Sequence, residues 1–514
     1  MNRVLVILVL FLAPRPQSDT LRVNTRLVQV DVVVRAKNGP VADLRREDFT
    51  IWDNGKVQRI GVFSVSDARP SKSQQVAPLP PGVVSNRMES GGEAATTATV
   101  ILFDLLNTPI DEQPYAIGQL LEYVRSIRKE DHVALYILDN QLRIVQDFTG
   151  DTAKLSRAAA RIKPSDVSGS ETRSAAELAE LLTDPDGLIG PEFANGVVAF
   201  YATNQAQRTA EAIEAIARHL GGLPGRKNLV WMSGDFPFAP EFAAVNQAGT
   251  RAHTTEDPLF LTSQVSRAVR SVSDANIGIY PVDVRALPAP DMRTVRAKAP
   301  LPPLPDHDAM LRLAGGSGGR AFYYTNDLKG AVSEAVADGE VTYTIGFYPA
   351  ENAFDGKFHR LSIDVARKNV DVRYRSGYAA VDTQAMTETQ RRALLADLVS
   401  TSLNASQIEL AAHAEGQRAV ISVNAADVRL EQQNNRRVGL LIVALRLESQ
   451  KSSTDKISNI RINISEDQYR AALQNGLVFD EAVPGVQPDD RLRIVVQDEA
   501  TGLAGSLWLP MPSR

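Results

Sequence analysis

Residues 97–104 read Thr-Ala-Thr-Val-Ile-Leu-Phe-Asp, an apolar run that ends in an aspartate. The run has the length of a buried strand, and the residues after it change to a helical pattern. In that pattern, five apolar residues share one helix face: Ile117, Leu120, Leu121, Val124 and Ile127. A buried strand followed by an amphipathic helix predicts the start of an α/β domain.

The alternation of strand and helix continues to about residue 350. Further strands are predicted at His132–Leu138, Leu142–Phe148, Asn228–Met232, Ile277–Val284, Arg320–Tyr324 and Thr342–Tyr348. Strands that alternate with helices of this length predict a mainly parallel sheet that is covered on both faces. We therefore expect one α/β domain over residues 97–350, with polar surface excursions at 165–196 and 287–307.

The flanking segments favour β structure. Residues 21–66 alternate as strands do and contain the hairpin signal Asp53-Asn54-Gly55, which predicts a small β domain. Residues 67–96 are rich in serine, glycine and proline and are interpreted as a linker. After the central domain we expect a β-hairpin extension at 351–380 and a helical linker at 381–402. Short alternating strands then predict a β-sandwich-like domain at 403–514.

The amino terminus indicates export. Residues 1–20 contain the apolar run Val4–Ala13 after one arginine and before two prolines, which is typical of a signal peptide. No later run is long enough to span a bilayer, so we expect no transmembrane anchor in the mature chain and a periplasmic or extracellular location. The 514 residues carry a net charge of −5 and no cysteine. This composition excludes disulfide scaffolds and thiolate metal sites, and it does not favour nucleic acid as a partner.

Several stretches resemble one known family. The strand end Phe103–Thr108 and the segment Leu229–Asp235 look like a von Willebrand factor type A domain. Four further stretches are similar to the exported, von Willebrand type A-related proteins of acidobacteria: Pro224–Trp231, Ile279–Asp283, Gly318–Phe322 and Tyr343–Pro349. The resemblance covers about residues 21–378 and implies a Rossmann-like central domain that is flanked by small β domains.

The resemblance also implies a metal-ion-dependent adhesion site at the carboxyl ends of the strands. Its D-x-S-x-S motif is matched by Asp104 and Thr108, while Leu106 replaces the middle hydroxyl residue. Thr203, or alternatively Thr209, stands for the second-loop threonine, and Asp235 for the third-loop aspartate. Hydroxyl and carboxylate oxygens of this kind suit Mg²⁺, or Ca²⁺ or Mn²⁺. The alternative is a decayed site, in which Asp104 caps the next turn and Asn107 bonds to the backbone.

The sequence does not indicate an enzyme. Gly315–Gly319 matches the letters of the G-x-S-x-G nucleophile motif, but a helix is predicted before it and a strand after it, which is the reverse of the required order. The six histidines show no zinc spacing, and Asp306-His307-Asp308 is interpreted as a solvated loop. We therefore expect a binding protein that recognises a protein or cell-envelope ligand, or alternatively a structural or assembly component of the envelope.

Overall fold

A computed structural model describes most of the chain. The residues described are 27–67, 79–87, 89–90, 93–94, 98–128, 131–164, 191–223, 225–237, 263–285, 307–325, 327–349, 355, 357–380, 387–449, 453–487 and 489–511. The predicted signal peptide, and most of the two predicted polar excursions, lie outside these residues.

The described elements fall into three consecutive groups. The first group has eight strands: β1 (Val28–Ala36), β2 (Gly39–Pro40), β3 (Phe49–Asp53), β4 (Lys56–Gln58), β5 (Ile60–Asp67), β6 (Val84–Ser85), β7 (Glu89–Ser90) and β8 (Glu93–Ala94). The second group alternates strands and helices: β9 (Ala98–Asp104), α1 (Gln113–Val124), β10 (Val133–Leu138), β11 (Leu142–Thr149), α2 (Thr152–Ala159), α3 (Pro191–Leu220), β12 (Lys227–Ser233), α4 (Ser263–Asp274), β13 (Ile277–Asp283), α5 (His307–Ser317) and α6 (Leu328–Ala337). The third group is mainly β: β14 (Val341–Phe347), β15 (Phe358–Val365), β16 (Val370–Arg373), β17 (Gly377–Ala379), α7 (Glu388–Ser400), β18 (Leu410–Glu415), β19 (Arg418–Val423), β20 (Glu431–Gln433), β21 (Arg436–Glu448), β22 (Ser453–Ser465), α8 (Glu466–Asn475), β23 (Leu477–Ala482), β24 (Arg491–Asp498) and β25 (Ala504–Pro510).

The second group forms the central unit, whose sheet has the order β11-β10-β9-β12-β13. The pairs β10–β9, β9–β12 and β12–β13 are parallel, and β11 returns antiparallel to β10. Helices α3, α4 and α5 pack on one face of this sheet, and α1, α2 and α6 pack on the other. The prediction of an α/β fold is confirmed, although most sheets elsewhere in the described chain are antiparallel.

The predicted last strand of the central domain lies elsewhere. β14 pairs antiparallel with β1 and β5, so it belongs to a sheet of order β16-β1-β14-β5. Its sequence explains this placement, because Val341, Tyr343, Ile345 and Phe347 alternate with smaller or polar residues. Such alternation is typical of antiparallel sheets, whereas strands buried between two helical layers are apolar throughout.

The predicted hairpin at 351–380 is also wrong, because its two strands join different sheets. β15 pairs with β3 and β17, while β16 pairs with β1. The two sheets enclose one core that includes Val30, Ile51 and Tyr343. Strands from both ends of the central unit therefore form a single N-terminal β unit, made of β1–β5 and β14–β17.

Strands β18–β25 form a C-terminal β unit, in which two sheets share one hydrophobic core, while β7 and β8 pair with each other as a separate hairpin. Part of the predicted linker joins this unit, because β6 pairs antiparallel with β18. The predicted helical linker contains α7, which begins after the capping residue Thr387 and packs on β21 and β24. Among the described helices, none is long and apolar enough to cross a membrane.

Candidate functional site

Asp104 is the last residue of β9 and lies fully buried at the carboxyl edge of the central sheet. Its Oδ1 accepts a hydrogen bond from Asn107 N at 3.0 Å. Its Oδ2 accepts from Asn107 Nδ2 and from Trp231 Nε1, both at 2.8 Å. The carboxyl group therefore caps the turn after β9 and joins it to the neighbouring strand β12.

Ser233 completes the surroundings of this carboxyl group. Its Oγ lies 3.2 Å from Asp104 Oδ2 and donates to Asp235 O at 2.6 Å. A hydroxyl group has one proton, so it cannot donate along both directions at once. When Ser233 donates to Asp235 O, a protonated Asp104 can donate to Ser233 Oγ instead.

Burial raises the pKa of Asp104 to about 6, and the hydrogen bonds from Asn107 and Trp231 oppose part of this shift. The folded state therefore binds this proton more tightly than the unfolded chain does. The corresponding stability is complete below about pH 4 and is lost as the pH rises through about 6.

This pKa shift makes a testable prediction. We expect the Asp104→Asn variant to be less stable than the wild type because its single side-chain oxygen cannot replace both carboxyl oxygens. The difference in free energy of unfolding between the two proteins should shrink by on the order of 2–3 kcal/mol between pH 4 and pH 7. The reason is that only the wild type loses the stability that protonation of Asp104 provides. Urea unfolding at several pH values measures it, and a difference that stays constant with pH would contradict the assignment.

Thr108 connects the turn after β9 to the end of β12 through two hydrogen bonds. Its Oγ1 donates to Asp104 O and accepts from Gly234 N at 3.0 Å. A Cβ atom on Gly234 would meet Pro109 Cδ at 2.8 Å, so the two strand ends approach as closely as only glycine permits. The hydroxyl group of Thr108 is thus engaged in holding two backbone segments together.

The threonine that reaches this turn is Thr209. Its Oγ1 accepts from Asn107 Nδ2 at 2.9 Å and donates to Gln205 O at 2.8 Å. Thr203 was expected just ahead of the helix, but α3 begins at Pro191 and includes Thr203, whose side chain is outside the described residues. The proline marks the true start of the helix, because proline is favoured in the first turn.

Asp235 follows Ser233 and Gly234 after the end of β12. It is exposed, and its Oδ1 accepts from Phe236 N at 2.8 Å. The structure therefore brings together Asp104, Thr108, Asn107 and Thr209, and adds two hydrogen-bond partners on β12, Trp231 and Ser233, that sequence reasoning missed. Trp231 and Ser233 alternate along β12, so the two-residue period of a strand could have indicated that they face the same side.

These residues do not fit a divalent ion. Mg²⁺ needs oxygen lone pairs at about 2.0–2.1 Å. The Asp104 carboxyl group already accepts three N–H hydrogen bonds, one at Oδ1 and two at Oδ2, so few of its lone pairs remain for a metal. The middle hydroxyl position holds Leu106, which is buried in the core. Within the described residues, no group of three or more His, Cys, Asp or Glu side chains could hold a metal ion.

An aromatic cluster lies beside the end of β13. His307 stacks on Tyr323 at 4.3 Å between ring centroids and meets Tyr324 edge-on at 4.5 Å. Tyr324 is 52% exposed and has φ of 52°, a backbone conformation that is strained for an aromatic residue. The interpretation of His307 as part of a solvated loop is wrong, because it begins α5 and packs in this cluster.

Comparison with known proteins gives structural neighbours only. No family model and no curated protein matches the chain. An aerotolerance-related membrane protein from Bacteroides fragilis is 13% identical with a TM-score of 0.27, over 47% of this chain and 98% of that chain. The von Willebrand factor domain of the pilus tip protein Mfa5 from Porphyromonas gingivalis is 11% identical with a TM-score of 0.26, over 47% of this chain and 93% of that chain.

A third neighbour covers more of the sequence. The von Willebrand factor type A protein from Catenulispora acidiphila is 10% identical with a TM-score of 0.24, over 88% of this chain and 72% of that chain. The solved structures similar to this chain thus include von Willebrand factor type A domain proteins, and none of them tests a link to acidobacteria.

Proposed function

We propose that the chain is an exported, non-enzymatic binding protein of the cell envelope, periplasmic or extracellular, with a Rossmann-like von Willebrand type A central domain. It recognises a protein or envelope ligand without a divalent ion at Asp104. One observation carries the proposal: the Asp104 carboxyl group is surrounded by donors from Asn107 and Trp231. The turn is thereby a rigid structural element that positions the neighbouring loops.

Exposed apolar side chains at the carboxyl edge of the sheet support binding there. Ile110 follows the Asp104 turn and is 49% exposed, and Tyr324 projects beside β13. Open α/β sheets bind ligands at this edge. Apolar and aromatic side chains that are held on a rigid turn lose little entropy on binding, so they suit a protein surface.

Metal independence is tested by thermal unfolding of the full chain with millimolar Mg²⁺, Ca²⁺ or Mn²⁺. An ion that binds only the folded state at about 100 times its dissociation constant adds about 2.7 kcal/mol of stability. We expect no shift in the unfolding midpoint, in the wild type or in Asp104→Ala. A metal-dependent rise that the variant loses would overturn the proposal.

The binding role needs its own test. We expect the purified chain to be retained on an isolated bacterial envelope fraction, and retention to persist when EDTA is added. Release by EDTA would contradict a metal-independent mode. Failure to bind in either buffer would reject the binding role itself.

A structural or assembly role is the second candidate, and the attachment of the segment before the central unit to the C-terminal β unit favours it. Asn86 Nδ2 donates to Ala405 O and Ile408 O, both at 2.8 Å, and Asn86 Oδ1 accepts from Leu410 N at 2.7 Å. A segment ahead of the central unit is thus fastened to the C-terminal β unit. Such cross-connections stiffen a chain, as a spacer between partners requires.

A further inference from the structure

A cavity of about 760 Å³ opens at the edge of the central sheet, between α5 and α6. Its α5 wall includes Leu311, Ala314 and Gly315, and its α6 wall includes Gly330 and Glu334. The segment Gly319–Tyr323 forms the floor. Ligand pockets typically have volumes of about 300–1,000 Å³, so the space is sufficient for a ligand.

The floor of this cavity is an incomplete sixth strand. The sequence predicts a strand at Arg320–Tyr324, but only Phe322 pairs, in a parallel bridge with Val282. Phe322 N donates to Pro281 O at 2.8 Å, and Phe322 O accepts from Asp283 N at 2.9 Å. Since backbone groups alternate along an extended chain, those of Ala321 and Tyr323 point away from β13.

The outward backbone groups are available for pairing. Ala321 and Tyr323 both line the cavity, and no backbone hydrogen bond to either occurs among the described residues. An exposed edge of this kind is a template for a further strand. An extended peptide added to a sheet edge gains its affinity from such main-chain hydrogen bonds.

Gly315 lies at the surface of two cavities. It lines this cavity and an adjoining one of about 350 Å³ beside β15 and β16. A Cβ atom on Gly315 would meet no atom within 4 Å, whereas a Cβ atom on Gly319 would lie 1.9 Å from Ile279 O. Packing thus requires glycine at 319 but not at 315. A larger side chain at position 315 would therefore project into the cavity rather than into the core.

The side chains at the cavity define the ligand. Leu311 is 48% exposed on the α5 wall, and Ala314 lies beside it. Arg320 is paired with Glu334 at 2.6 Å, and the Asp327 carboxylate, which also lines the cavity, accepts from Gly330 N at 2.8 Å, so the charged groups of the lining already have partners. The groove therefore suits a main chain with an apolar side chain rather than a strongly charged group.

We propose that this groove binds an extended peptide of low charge, which adds a strand to Ala321–Tyr323 and places an apolar side chain against Leu311 and Gly315. The inference rests on the proposed binding role and names one site and ligand class for it. The groove lies between helices at the sheet edge, separate from the Asp104 turn.

The test uses the full chain and a random peptide library displayed on phage. The blocking variant is Gly315→Leu, which fills the groove and should fold normally because leucine favours a helix. The matched control is Gly118→Leu, because Gly118 is an exposed glycine of α1 whose added Cβ would also meet no atom within 4 Å. Thermal unfolding confirms that both variants are folded.

We expect uncharged, apolar peptides to be enriched, and a synthetic copy to bind wild type and Gly118→Leu equally. Binding to Gly315→Leu should weaken by about tenfold or more. Bound peptide should slow amide hydrogen exchange at residues 319–325. No enrichment, equal binding to Gly315→Leu, or unchanged exchange would overturn the proposal. Metal-independent envelope binding that Gly315→Leu leaves intact would reject the groove and keep the proposed function.

Discussion

Replacing Asp338 with alanine is expected to lower the free energy of unfolding by about 3–5 kcal/mol, because it removes a buried carboxylate that Arg35, Arg373 and Tyr280 share. Asp338 is fully buried just after α6. Its Oδ1 accepts from Arg35 Nη1 at 3.0 Å, and its Oδ2 accepts from Arg373 Nη1 at 2.7 Å and from Tyr280 OH at 2.8 Å. One carboxylate thus joins the N-terminal β unit to the central unit.

Burial and neighbouring charges shift the pKa values of Tyr280 and Glu334 in this cluster. Burial, with the nearby Asp338 carboxylate adding to it, raises the pKa of Tyr280, and Arg226 opposes the shift. Glu334 shares Arg373 with Asp338, at 2.7 Å, and the arginines lower the pKa of Glu334 against the effect of burial. Charges held in such a site are weakly screened, so added salt should not restore the variant.

The positions of the tryptophans allow the unfolding of each unit to be followed separately. The chain has three, and Trp52, Trp231 and Trp508 lie in the N-terminal β, central and C-terminal β units respectively. In chains that retain one tryptophan, urea unfolding followed by fluorescence reports each unit separately. We expect Asp338→Ala to shift the Trp52 and Trp231 transitions and to separate them.

The matched control is Asp371→Asn. Asp371 accepts from Arg373 Nε at 2.7 Å, but its side chain is 59% exposed. Exposed ion pairs contribute about 0–1 kcal/mol, so this variant should be almost as stable as the wild type. Equal effects of the two substitutions would contradict the role assigned to Asp338.

Replacing Arg493 with methionine is expected to destabilise the C-terminal β unit by about 3 kcal/mol or more, because it leaves several buried oxygen acceptors without a hydrogen-bond donor. Arg493 is fully buried in β24. Its guanidinium donates to Leu398 O at 3.1 Å, Leu403 O at 2.6 Å and Asn404 Oδ1 at 2.6 Å. Burial lowers the pKa of Arg493 to about 10.

Arg493 acts by holding the end of α7. Leu398 belongs to the last turn of that helix, where carbonyl groups lack partners within the helix. A cation is favourable at a helix C-terminus, and a guanidinium offers enough donors to reach several carbonyl groups at once. Losing it should release α7 and the following loop from β24, and amide hydrogen exchange in residues 395–404 should accelerate.

Arg491→Met provides the comparison. Arg491 and Arg493 lie over the Trp508 ring, with guanidinium carbons 4.6 and 5.2 Å from its centroid, but Arg491 is exposed. We expect a change within about 0.5 kcal/mol for Arg491→Met, as for most surface substitutions. A comparably small effect of Arg493→Met would show that the buried carbonyl groups find other partners.

Local pattern predicts most elements of the central unit, although the predicted strand at Arg320–Tyr324 contributes only the Phe322 bridge. A continuous apolar strand ending at Asp104, followed by a helix with one apolar face, indicates α/β structure because each signal depends only on neighbouring residues. Alternation in β14 carried information too, since it separates an antiparallel strand from the buried parallel ones. The Asp53-Asn54-Gly55 hairpin follows from the tolerance of Asn-Gly for positive φ, and Asn54 and Gly55 have φ of 46° and 78°.

The sequence by itself thus determined the element types, the α/β class and the position of Asp104 at a strand end. Only the tertiary structure decided what surrounds that aspartate, because Trp231 and Ser233 lie more than a hundred residues away. It also decided that Arg35, Arg373 and Tyr280 converge on Asp338. The physical reason is that hydrogen bonds and burial depend on distance in space, whereas hydrophobic periodicity is a property of adjacent residues.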